Sequence, residues 1–247
     1  MALILVHCPK GGVGSTTVTA NLALMLASRG RDVVAIDFSR QDSLKLHFGF
    51  RPDQTLAAPS RRDDEAQVVS GVRLLGHSRP EDHADPVAVV RPWLGEGSVV
   101  IADIAAGDAD VFQALLPLAT LHLCVLTTDA AAMAVLPQLA QGRPLTATGG
   151  GQNSLYLLNQ IDERRRLGRD SAKFLQRLVG ERLIGSVRRD EAVNEALAMM
   201  EPIAKFAPTS AATADFIRLG DTIRDLPALR ASVSRDGNDA RDAVLRA

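Results

Sequence analysis

Short runs of Val, Ile, Leu and Ala recur along the chain, separated by longer stretches in which apolar residues return every three or four positions. Strands are predicted over residues 2–8, 32–37, 72–76, 98–104, 121–127, 154–160 and 182–187. Helices are predicted over 16–29, 109–118, 130–141, 171–179, 191–200 and 211–226. Near-continuous apolar strands alternating with helices are the signature of a parallel sheet covered on both faces. Right-handed crossovers follow, and a ligand site is expected at the carboxyl ends of the strands. The expected fold is α/β: a doubly wound, mostly parallel sheet with helices on both faces.

Two segments break the pattern. Residues 54–67 (QTLAAPSRRDDEAQ) are polar and read as a surface loop. The end of the chain from Ala228 (ALRASVSRDGNDARDAVLRA) is charged and interrupted by Gly-Asn-Asp, and reads as a flexible tail. The organisation expected is one domain over residues 1–227 and a tail over 228–247, without internal repeats.

Composition narrows the function. With 46% hydrophobic and 23% charged residues the chain can bury a large core. A formal net charge of −1 speaks against a protein coated in cations for nucleic acid, although it leaves room for a local patch. The two cysteines, Cys8 and Cys124, stand far apart and outside any C-x-x-C spacing, so packing in apolar runs is the expected role and iron–sulfur carriage is set aside. No run approaches the ~20 apolar residues that span a bilayer, and a cytosolic location is expected.

The chemistry concentrates in Lys10-Gly11-Gly12-Val13-Gly14-Ser15-Thr16-Thr17, between the first strand and a long helix. Glycines let the backbone wrap a phosphate chain with its N–H groups inward, and the helix N-terminus adds positive potential. Thr16 is placed to hold Mg²⁺ and Thr17 to reach an α-phosphate. The ordinary loop, G-x-x-x-x-G-K-[ST], has a lysine where this chain has Ser15. A hydroxyl can donate a hydrogen bond there but cannot neutralise β- and γ-phosphate charge.

The loop resembles the deviant Walker A motif of the MinD/ParA family of P-loop ATPases, K-G-G-x-G-K-[ST]. Lys10 matches the leading lysine and Ser15 departs at the second one. The resemblance implies the SIMIBI-type P-loop fold, ATP and Mg²⁺ as cofactors, and a nucleotide-dependent homodimer in which Lys10 reaches the partner's nucleotide. Asp37 matches the first switch aspartate. The second carboxylate of the family's D-x-D is replaced by Ser39, too weak a base to orient the attacking water. Residues 99–103 (VVIAD) match the Walker B strand, with Asp103 beside the Mg²⁺ site and Gly107 the second switch glycine. Asn159 matches the asparagine that reads the adenine edge. Asp37 and Asp103 could instead cap the helices after their strands, and Asn159 could be a turn residue.

A narrower resemblance rests on residues 189–198 (RDEAVNEALA) with Glu201-Pro202, on the hydroxyl in place of the second lysine, and on residues 42–48 (DSLKLHF). These are similar to the BcsQ family of bacterial cellulose-biosynthesis accessory proteins, over roughly residues 1–225. That resemblance implies a nucleotide-dependent scaffold with cellulose synthase subunits or accessory proteins as partners, recruited through them to the inner membrane, and with ATP hydrolysis weak or absent. A partition ATPase acting on DNA is the competing expectation. It needs turnover and a basic surface, against which Ser15, Ser39 and the net charge weigh. Direct membrane insertion is not expected, because residues 232–247 offer no bulky amphipathic face. Arg188 and Arg189 are expected either beside a capped helix or facing phosphates or a partner. Residues 164–166 (three arginines) are expected as a solvated turn or a contact for a partner or phosphate.

Overall fold

The computed structural model describes residues 1–8, 10–58, 66–76, 85–94, 98–129 and 154–230. Eight strands form one sheet: β1 (Ala2–Val6), β2 (Val33–Asp37), β3 (Gln67–Val69), β4 (Val72–Gly76), β5 (Val99–Asp103), β6 (Leu121–Leu126), β7 (Ser154–Ile161) and β8 (Leu183–Arg188). Their order is β3-β4-β2-β5-β1-β6-β7-β8, parallel throughout except for the antiparallel β3–β4 pair. The doubly wound parallel sheet expected from the apolar runs is the fold found.

Helices cover both faces, and the strands serve each face with alternate residues. Ile4, Val6, Val33, Ala35, Val99 and Ile101 belong to one core, packed under α1 (Ser15–Ser28) and α7 (Ala211–Arg224). Leu3, Leu5, Val34, Ile36, Val100 and Ala102 belong to a second core with Trp93 of α2 (Pro86–Leu94) and Phe112 of α3 (Ala109–Leu115). The remaining helices are α4 (Arg166–Val179), α5 (Glu191–Ala198), α6 (Ile203–Phe206) and α8 (Pro227–Arg230). Every residue of α1 from Val18 to Leu26 is buried, because the helix is apolar on almost all sides and lies between sheet and α7.

Several elements differ from the sequence expectation. The first helix begins at Ser15, the fourth at Arg166, and the strand expected to end at residue 160 runs to Ile161. The short β3 stands at the end of the expected polar loop, paired to β4 through Ser70 and Gly71. Both have positive φ, 50° and 80°, the backbone of a tight primed hairpin turn. Of the expected loop, residues 59–65 lie outside the described residues, while Leu56 packs into the core. The helix expected over 130–141 also lies outside them, as does residue 231 onward of the expected tail. Residues 227–230 form a helical turn whose Leu229 is fully buried. No described helix is long and apolar enough to cross a membrane.

Candidate functional site

Because β1, β5 and β2 are adjacent and parallel, the loops that follow them converge at one edge of the sheet. They wall a cavity of about 830 Å³. The first loop supplies Lys10 through Thr16, the loop after β2 supplies Ser39, Arg40 and Gln41, and the loop after β5 supplies Asp103 through Asp108. Site residues scattered across a hundred positions of sequence therefore meet for a topological reason.

The glycine loop has the backbone that its chemistry requires. Gly12 and Gly14 have φ of 78° and 84°, in the left-handed region where a side chain is strained. Gly14 precedes α1 and receives no side-chain cap, so the first N–H groups of the helix are left for a ligand. A Cβ at Gly14 would also collide with the Asn159 amide. Asn159 Nδ2 donates to the Val13 carbonyl at 2.8 Å, tying the end of β7 to the back of the loop. Asn159 is 4% exposed and outside the cavity lining. Thr17 is also outside it, with its hydroxyl 3.4 Å from His47 Nε2. The structure thus gathers Lys10 to Thr16 and Asp103 around the cavity, and sets Thr17, Asp37 and Asn159 behind it.

Asp37 and Asp103 lie in register on β2 and β5, both on the α1 side and both buried. Asp37 Oδ1 accepts from Ser39 N at 2.8 Å and Oδ2 from Leu44 N at 2.9 Å, so it holds the loop after β2 as a backbone cap. Burial raises its pKa despite those bonds. Asp103 is pushed up to about 7, first by burial and then by the Asp37 charge. Its Oδ1 accepts from Thr19 at 3.2 Å. Its Oδ2 has no hydrogen-bond partner among the described residues, although the Thr16 hydroxyl lies near enough to favour the charged form.

Two buried carboxyls that repel each other, one with an orphaned oxygen at the cavity wall, suit a divalent cation held by Thr16 with Asp103 behind it. Such an ion would neutralise phosphate and carboxylate charge together. Among the described residues no group of three or more His, Cys, Asp or Glu could hold a metal without help from a ligand.

Residues 4–203 match the family model of the CobQ/CobB/MinD/ParA nucleotide binding domain. The chain belongs to that family. Over 239 residues it is 26% identical to the antiactivator FleN of Pseudomonas aeruginosa, which covers 88% of this chain and 84% of FleN. A stretch of 83 residues is 41% identical to a candidate replication protein A of Rhizobium rhizogenes, spanning 31% of this chain but only 20% of that protein. The septum site-determining protein MinD of Pyrococcus horikoshii, complexed with Mg-ADP, superposes with a TM-score of 0.74 at 22% identity. That likeness covers 91% of this chain and 96% of that MinD, and is one of fold.

Lys10 reaches across to the loop after β6. Its Nζ is 3.2 Å from Asp129 Oδ2, and its side chain retains 27% exposure at the mouth of the cavity. The arginines singled out by sequence have other duties. Arg188 makes a two-pronged ion pair, 2.8 Å, with the buried Asp215, which also pairs with Arg218. The Arg188 guanidinium thus ties the end of β8 to α7. Asp190 caps α5, accepting from Ala192 N and Ala212 N, both at 3.1 Å. Arg164 and Arg165 pair with Asp162 and Arg166 with Asp170, all at the surface, as a solvated turn would.

Sequence reasoning passed over Arg40, Asp108 and Asp110, which line the cavity, and Asp129, which receives Lys10. It also passed over Lys45, whose buried ammonium pairs with Asp42 at 2.6 Å and donates to the carbonyls of Pro52 and Gln54. Arg40 directly follows Ser39, so its place beside a candidate site residue was the available signal. Asp129 gave none, being brought to Lys10 only by the pairing of β6 with β1.

Proposed function

We propose that the protein is an ATP- and Mg²⁺-binding switch that dimerises on ATP, hydrolyses it slowly or not at all, and serves as a BcsQ-like scaffold in bacterial cellulose secretion. The observation that carries this reading is a cavity lined by the glycine loop, in which Ser15 and Ser39 stand where the resemblance to MinD/ParA ATPases expects a cation and a carboxylate. Binding and turnover make separate demands. The loop glycines, the open N-terminus of α1, Thr16 and Asp103 meet the first. The second needs charge stabilisation at the β–γ bridge and an oriented water, and the two serines weaken both.

A water-orienting or base residue contributes typically ~10²–10⁴-fold in rate. Its loss leaves a long-lived ATP state, which suits a scaffold assembled during polymer export. Lys10, exposed at the cavity mouth, is able to leave Asp129 and meet the phosphates of a second copy, an ion-pair exchange that costs little at a surface. The cellulose assignment is supported by the capped segment 189–198 and by the hydroxyl in the loop.

The native protein is expected to release negligible phosphate and to dimerise on ATP with Mg²⁺, whereas Lys10→Ala stays monomeric. Ser15→Lys with Ser39→Asp is expected to turn over measurably faster. Light scattering and steady-state phosphate release decide both. Restoration of cellulose-dependent dye binding in a producing strain lacking its own BcsQ tests the biology. The local match to a replication protein favours a second reading, a partition-type ATPase acting on DNA. Brisk native hydrolysis with ATP-dependent DNA retardation would select it instead.

A further inference from the structure

Ser15 leaves the cavity without its usual lysine, yet one cation that the family motif does not include faces the same space. Among the described residues lining the cavity, Lys10 and Arg40 are the only cations, set against Asp103, Asp108 and Asp110. Lys10 is held by Asp129 at 3.2 Å. Arg40 is exposed, and among the described residues no ion pair or hydrogen bond engages its guanidinium. We propose that Arg40 is the phosphate-binding cation of this protein, acting within one subunit and replacing the absent loop lysine. This rests on the reading of the cavity as a nucleoside triphosphate site.

The backbone around Arg40 is fixed before any ligand arrives. Asp37 accepts from Ser39 N and Leu44 N, at 2.8 and 2.9 Å, clamping the loop at both ends. Asp42 N donates to the Ser39 carbonyl at 3.3 Å, and the Asp42 carboxylate is pinned by buried Lys45 at 2.6 Å. With the loop's ends held in this way, mainly side-chain order has to be created when Arg40 binds.

Its approach also differs from that of a loop lysine. Arg40 follows β2, which is separated from β1 by β5 alone, two strand spacings or roughly 9–10 Å across the sheet. A cation entering from that side meets the outer end of a phosphate chain cradled over β1, opposite the helix N-terminus. A guanidinium suits this task, because its planar fork binds two phosphate oxygens at once and remains charged at any working pH. The preference should therefore grow with the number of phosphates.

Fluorescent adenosine tri-, di- and monophosphate analogues, titrated with Mg²⁺ at protein concentrations too low for dimerisation, test the proposal. Arg40→Ala is expected to weaken triphosphate binding on the order of tenfold or more, the weight of a hydrogen bond to a charged group. Diphosphate should suffer less and monophosphate not at all, with an unchanged melting temperature. Arg40→Lys should recover part of the loss. Ser15→Lys in the Arg40→Ala background should recover most of it, by returning the cation to the loop.

Equal triphosphate affinity for Arg40→Ala and native protein would overturn the role of Arg40 and leave the nucleotide site standing. Uniform weakening of all three ligands would also overturn it, since that is what a disturbed loop would give. Failure of the native protein to bind any of the three would overturn the site and the proposal together.

Discussion

Asp103 concentrates the tension of the site in one carboxyl. Its pKa of about 7, against an ordinary 3.8, means the folded protein retains there a proton that the unfolded chain releases between those values. Stability associated with this group is therefore lost as pH rises toward 7. A Mg²⁺ ion beside it favours the carboxylate, so binding of Mg-ATP at pH 7 should expel protons. Titration calorimetry in buffers of different ionisation enthalpy measures the number. The expected value is a substantial fraction of one in the native protein and near zero in Asp103→Asn. The same variant should be more stable than the native protein at pH 7.5, with the gap closing toward pH 5, as chemical denaturation at the two pH values would show. A constant gap would mean that Asp103 is charged throughout. That Asp37 and Asp103 end their strands was legible in the sequence. A capping role for Asp37 was among the alternatives the sequence offered, but the N–H groups it takes, those of Ser39 and Leu44, were not legible, because they come within reach only when the loop folds back.

At the scale of elements, the seat of α1 is set by a glycine. Gly220, in the middle of α7, faces Met25 of α1 so closely that an added Cβ would lie 2.6 Å from the Met25 Cβ. Alanine is ordinarily worth about 1 kcal/mol more than glycine within a helix. Gly220→Ala should nonetheless destabilise, by roughly 1–3 kcal/mol, the usual cost of overpacking. The urea midpoint reports it. Met25→Ala should give no rescue, since alanine keeps the offending Cβ. The elements legible in sequence were those with one dominant period. Apolar runs marked seven of the eight strands, and α1 announced itself through its glycine loop. The rest lacked such a signal. β3 is a three-residue strand whose Val68 is exposed, so no buried face marked it. α2 carries Pro86 and Pro92, which read as breakers although the first sits at a helix start, where its missing N–H costs nothing. α6 has four residues, too short for any periodicity.

For the whole molecule, parallel pairing was readable from the alternation of apolar runs with helical stretches, but the strand order was not, since nothing local tells β5 to insert between β1 and β2. That insertion builds the cavity and places Arg40 opposite the glycine loop. The order also puts α1 at the centre, its segment from Val18 to Leu26 sealed from solvent while Ser15 and Thr16 remain at the cavity. The helix that would greet a phosphate is thus poorly able to unravel locally. Its amide hydrogens should exchange with deuterium only when the entire chain opens. A ligand at one hundred times its dissociation constant adds about 2.7 kcal/mol to that opening, slowing exchange about a hundredfold along α1 and in the central strands alike. What the cell would sense as occupancy of a small cleft is then a change in the lifetime of the whole fold.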